Sequence, residues 1–146
     1  MLKQFLVGGI VSVCTITVHA LVMTLVVRVA QATSKKHVSH PSLFLIIVMI
    51  ATVSVLMAAH VSEVAIWSVA YFIVDAAPPG SKLLYFAFVN YTTLGYGDVI
   101  PVENWQLLGP MTAMNGVLLF GWSTAVIFEV LRKAMLAISA SRAGDT

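Results

Sequence analysis

Charge is what this sequence has least of: only 10% of its 146 residues are Asp, Glu, Lys or Arg. Hydrophobic residues make up 60% and mean hydropathy is +0.97. Too little polar surface remains to cover a globule in water, so a soluble domain is excluded. The net charge of +2 argues against a nucleic-acid partner. Cysteine is nearly absent. The single Cys14 can form no intrachain disulfide and reports nothing on redox compartment. Its place in an apolar run predicts a buried, inert thiol. No internal repeat or low-complexity segment is visible, and the length allows one domain.

What the chain does have is apolar length. Phe5–Val27, about Ser42–Val74 and about Trp105–Leu131 are each long enough for a membrane helix, which needs roughly 20 residues. The first could be confused with a cleavable leader, since Lys3 precedes it and Ala30-Gln31-Ala32 follows. Its apolar core exceeds the roughly 7–15 residues of a leader, so a retained span is expected. Ser81–Tyr91 is apolar and aromatic but too short to span. Pro78-Pro79-Gly80 breaks the chain before it, and Ser81 is a candidate helix cap. The expected organisation is a first span at 1–32, a loop at 33–41, an outer helix at 42–74, a re-entrant helix at 81–91, a loop at 92–98, an inner helix at 105–133 and a tail at 138–146.

The loop Thr92-Thr93-Leu94-Gly95-Tyr96-Gly97-Asp98 is polar and glycine-bearing, yet it lies at membrane depth. Irregular backbone survives there only where it lines a cavity or is buried in protein. Gly95 and Gly97 can adopt backbone angles that other residues avoid, so successive carbonyls can aim at one axis and replace an ion's water shell.

This run resembles the selectivity filter of the potassium channel family, with Leu94 where that family commonly has valine. The resemblance implies an all-α membrane protein with three transmembrane helices, a re-entrant pore helix and a filter loop. It also implies a pore made by four identical subunits, since four loops make one filter. In that picture Thr93, Leu94, Gly95 and Tyr96 bind K+ through backbone carbonyls, the Thr93 hydroxyl forms the innermost site, and Gly97 supplies the outermost turn. Thr92 and Asp98 support the loop, and Tyr96 packs outside the axis as a strut. No cofactor is implied beyond K+ as the permeant ion, no enzymatic activity is expected, and the partners are K+, the bilayer and three further copies. Two departures from the family stand out. Val89 occupies a pore-helix position where some members pair a glutamate with the filter aspartate, and Tyr85 and Phe86 stand where others carry two tryptophans. A weakly selective sodium–potassium channel is the alternative of the same class. A non-conducting membrane protein with an intramembrane His60/Glu63 site is the alternative of another.

Orientation follows from the basic residues. Arg28, Lys35, Lys36, Arg132, Lys133 and Arg142 fall on one side if the middle segment re-enters, and Lys3 and Lys82 on the other. The positive-inside rule places the six in the cytoplasm, in a plasma membrane, with the N-terminus outside. Trp67, Tyr71, Phe72, Tyr85 and Trp105 then fall near the outer interface, where amphipathic rings collect. No span carries an arginine ladder, so a charged voltage sensor is not expected.

Several polar or small residues in the spans carry two readings each. Gly116 and Gly121 in the inner helix are a gating hinge or sites of close helix packing. Ser123 and Thr124 line a cavity or bond their own helix. His60 and Glu63 share a helix face. They form a polar clasp from the outer helix to the pore helix, through Asn90, Tyr85 or a filter amide, or a proton sensor. The clasp is favoured. His19, alone in the first span, reads as a packing histidine, and Glu129 has ion-pair spacing to Arg132 and Lys133.

Overall fold

The computed structural model describes residues 1–33 and 40–144. Most of the expected 33–41 loop, with Lys35 and Lys36, and the last two residues of the tail lie outside them. The chain is all-helical, with no strand among the described residues. Four helices follow in order: α1 (Leu2–Thr33), α2 (Pro41–Ile73), α3 (Leu83–Tyr91) and α4 (Leu108–Gly144), with a short 3-10 turn at Glu103–Trp105 before the last. Three segments, Leu2–Ala32, Pro41–Ile73 and Glu103–Ser141, are long and apolar enough to cross a membrane.

The helix ends have local causes. Pro41 opens α2, where its missing N–H costs nothing. At the other end Ala76 N–H bonds the Tyr71 carbonyl at 3.0 Å and Asp75 N–H bonds that of Phe72 at 3.4 Å. Asp75 takes the left-handed conformation at φ 51°. This is the Schellman pattern, and aspartate is among the few residues that tolerate its special position. The expected cap of α3 is corrected: the capping position is Lys82, without a side-chain cap bond, and Ser81 N–H instead closes the Pro78-Pro79-Gly80 turn onto the Pro78 carbonyl at 3.1 Å. The inner helix begins at Leu108 rather than Trp105, because Trp105 belongs to the 3-10 turn. It also continues through Gly144, past the expected end at 133 and into the expected tail.

Two compact units divide the chain. The first comprises Met1–His19 and His60–Gly121. Its core is Val64, Trp67, Tyr71, Ala76, Phe86, Ala87, Tyr91 and Leu108. Trp67 and Tyr71 are not surface rings: both are fully buried in this core, and each polar tip finds a partner inside. Trp67 Nε1–H donates to Asn115 Oδ1 at 3.2 Å, and the Tyr71 hydroxyl bonds that of Thr112 at 2.6 Å. Phe72 is exposed, as is Tyr85 to a lesser degree.

The second unit comprises Ala20–Ala59 and the chain from Trp122 onward. Met23, Leu56, Val126 and Val130 form its core. On its surface Glu129 bonds Arg132 twice at 2.8 Å and Lys133 at 3.0 Å. In the first unit Cys14 is exposed rather than buried, since the face of α1 that packs is the one bearing Thr15 and His19.

Candidate functional site

The glycine-bearing loop hangs from the end of α3. Leu94 N–H bonds the Val89 carbonyl and Thr93 N–H that of Asn90, each at 3.0 Å. This is a second Schellman pattern, with Thr93 in its left-handed position at φ 59°. A threonine there stores roughly 1 kcal/mol of backbone strain, which the surrounding bonds must hold. The left-handed conformation then recurs at Gly95 (φ 59°) and Gly97 (φ 77°), but not at Leu94 or Tyr96 between them. A backbone that changes hand at every residue can present successive carbonyls along one line. Sequence reasoning named the two glycines for this alternation and missed Thr93, whose conformation follows from the helix cap and not from its residue type.

Bonds from the same chain hold the outer end of the loop. The Tyr85 hydroxyl donates to Asp98 Oδ2 at 2.8 Å, and this bond to a carboxylate pushes the Tyr85 phenol above its ordinary range. Beyond the loop, Val102 N–H bonds the Ala76 carbonyl at 2.9 Å. The aspartate that lacks a glutamate partner at Val89 is thus held by Tyr85. The residues in between are open to the surroundings: Leu94 is 53% and Tyr96 68% exposed.

Behind the loop lies a buried polar cluster. Glu63, fully buried, sits at its centre. His19 Nδ1 lies 2.7 Å from Glu63 Oε1, and His60 Nδ1 lies 3.1 Å from Oε2. The Tyr91 hydroxyl donates to Oε2 and lies 2.9 Å from His60 Nδ1. With the carboxylate ionised, the phenol and both imidazoles donate to it or to its nearest partner, which places a proton on Nδ1 of each ring. The sequence joined His60 and Glu63 but corrections follow for the rest. The link to α3 runs through Tyr91, not Asn90 or Tyr85. The Asn90 amide instead donates to the Tyr71 hydroxyl at 3.4 Å. His19 is not a lone packing residue but a member of the cluster.

The donor atoms of His19, His60 and Glu63 all lie within 4.8 Å of one another, a set of the kind that binds zinc. His19 and Glu63 approach to 2.7 Å, ordinary hydrogen-bond spacing, and with His60 and Tyr91 they form one hydrogen-bonded cluster.

A second polar group fixes α4. Asn115 Oδ1 accepts from Thr15 at 2.9 Å as well as from Trp67. The next residue, Gly116, lies against the Tyr91 backbone, where an added Cβ would overlap the carbonyl oxygen. Gly121 has nothing within 4 Å of such an atom. Of the other two candidates on α4, Ser123 is buried and Thr124 exposed. The only sequence signal for Asn115 was an amide in an apolar span, and it names no partner.

Residues 43–133 match a protein family described as ion channel. The match covers more than half of the chain, from the start of α2 into α4. The chain belongs to the ion channel family. Comparison with curated proteins and with solved structures gives no match. In this ion channel the matched segment carries the whole loop, Glu63, His60 and Tyr91, while α1, with Thr15 and His19, lies outside it. Membership supports passive ion conduction across a membrane as the chain's activity.

Proposed function

We propose that four copies of this chain form a potassium-selective channel, with Thr93, Leu94, Gly95, Tyr96 and Gly97 as the ion-binding filter. The observation that carries this reading is the left-handed backbone at Thr93, Gly95 and Gly97, within a run that keeps the signature glycines, Tyr96 and Asp98. One loop per chain is a quarter of a filter, so the functional unit is a homotetramer. The open face of Leu94 and Tyr96 is then covered by neighbouring copies. Thr92, whose hydroxyl donates to the Phe88 carbonyl at 2.7 Å, and Asp98 support the filter from within the chain. The distribution of Lys and Arg supports a cytoplasmic C-terminus, an outer N-terminus and a plasma-membrane location.

Purified protein in liposomes tests the reading. Potassium flux well above sodium flux, blocked by external barium, is expected. Equal flux of both ions would replace it with a weakly selective channel, and no flux of either would overturn it. Mass measurement in detergent should give about 63 kDa of protein, four times the chain mass of 15.7 kDa. A stable, conducting dimer would refute the assembly.

A further inference from the structure

Helix α1 lies outside the family match, yet it is keyed into the filter-bearing unit by three buried polar side chains. Gln4 Oε1 accepts from Leu107 N–H at 2.8 Å, just before α4. Thr15 donates to Asn115 within α4. His19 bonds Glu63 of α2. At 3.6 residues per turn these three positions fall within about 60° of one another around the helix. A helix that only anchored the chain in lipid would have no use for buried polar groups on one face, because each is costly at membrane depth without its partner.

The His19 contact leads to the filter. His19 holds one carboxylate oxygen of Glu63, and Tyr91 bonds the other. Tyr91 is the last residue of α3, directly before Thr92 and Thr93. Its phenol ring is fully buried, and its backbone carbonyl lies against Gly116. The side chain of Tyr91 thus fixes the point from which the strained Thr93 turn departs. We infer that His19, through Glu63 and Tyr91, is a positioning residue for the filter, so that α1 is a working part of the pore. This rests on the potassium-channel reading above.

Single-channel recording in bilayers tests it, because it reads only assembled channels and is blind to loss of yield. His19→Ala and Tyr91→Phe should each lower the potassium-to-sodium permeability ratio about fivefold or more, the order that one buried hydrogen bond carries. The double variant should be no worse than the more affected single one, since both act through Glu63. His19→Gln, which retains a donor, should restore the ratio and provides the comparison if the alanine variant assembles poorly. Thr15→Ala breaks another key of the same helix without touching the Glu63 path, and should lower yield while leaving the ratio unchanged. A wild-type ratio in His19→Ala or in its place a lowered one in His19→Gln, additive losses in the double variant, or an equal shift in Thr15→Ala would each overturn the inference. Failure of the underlying reading is distinguishable, because the wild-type channel itself would then show no potassium preference.

Discussion

Gly116→Ala separates the two readings of the inner-helix glycines. A methyl group at this position meets the Tyr91 carbonyl oxygen in hard overlap, with the carbonyl carbon at 3.0 Å and a ring carbon at 3.2 Å behind it. The obstacle is backbone, so no rotamer change relieves it, and the end of α3 must move by roughly 1 Å. Overpacking of this kind costs about 3 kcal/mol, the upper end of its usual range. The intrinsic gain from replacing glycine by alanine within a helix offsets about 1 kcal/mol. The net loss of about 2 kcal/mol is a factor of about 30 in the folded-to-unfolded ratio. Gly121→Ala is the internal control: with nothing within 4 Å in the chain, it should be neutral or slightly stabilising. Thermal dissociation of the assembly in detergent measures both. The packing account expects a clearly lower midpoint for Gly116→Ala alone, together with altered conduction in what assembles. Equal midpoints for the two variants, with gating changed only in Gly116→Ala, would refute it and favour a hinge.

Three further predictions follow from the same geometry. Gly95→Ala should abolish selective flux, since its φ of 59° strains any residue with a Cβ by roughly 1 kcal/mol in each copy; wild-type flux and selectivity in this variant would sink the filter assignment. Glu63→Ala should weaken assembly by about 3 kcal/mol or more, because His19, His60 and Tyr91 all lose a buried acceptor, whereas Glu63→Gln, which keeps one acceptor oxygen but turns an N–H₂ donor toward the other contact, should weaken it less; if Glu63→Ala assembles normally and loses only the pH dependence of flux, the proton-sensor reading replaces the clasp. Tyr85→Phe removes the hydroxyl on Asp98 and should shorten the conducting bursts of single channels with little change in assembly, so unchanged bursts would show that Asp98 is held by other means.

The legible and illegible parts of this molecule divide along a physical line. The order of the helices, the break at Pro78-Pro79-Gly80 and the left-handed backbone at Gly95 and Gly97 are set by local chemistry, and they could be read from the sequence. Partner choice within the cluster could not. Glu63 had to have partners, but that they are His19, a residue of α1, and Tyr91, a residue of α3, depends on how the helices pack. Trp67 and Tyr71 show the same ambiguity from the other side. An amphipathic ring suits both a membrane interface and a core with a polar partner, and only the presence of Asn115 and Thr112 nearby chooses the core. α3 starts without the side-chain cap expected from Ser81, and Gln4 of α1 accepts from Leu107 N–H at the start of α4, a partner that only packing supplies.

The glycine-bearing loop is held unevenly. Its inner end is fixed by the cap of α3 and by Tyr91, its outer end by Tyr85 and by the Val102–Ala76 bond, all from within one chain. Between these ends Leu94 and Tyr96 have side chains that their own chain leaves open. If four copies meet, each brings a loop whose two ends are already placed, and association has only the middle to complete. The left-handed turn at Thr93 belongs to the part set before assembly, because its two backbone bonds go to Val89 and Asn90 of its own helix. Substitutions at the loop's ends should then act within a subunit, whereas substitution of Tyr96, whose side chain its own chain leaves exposed, should act on its neighbours. Mixed assemblies of wild-type and variant chains distinguish the two: selectivity should change in proportion to the number of Tyr85→Phe subunits, and steeply with the first Tyr96→Ala subunit. A proportional response for Tyr96→Ala would mean that its packing, too, is supplied by its own chain.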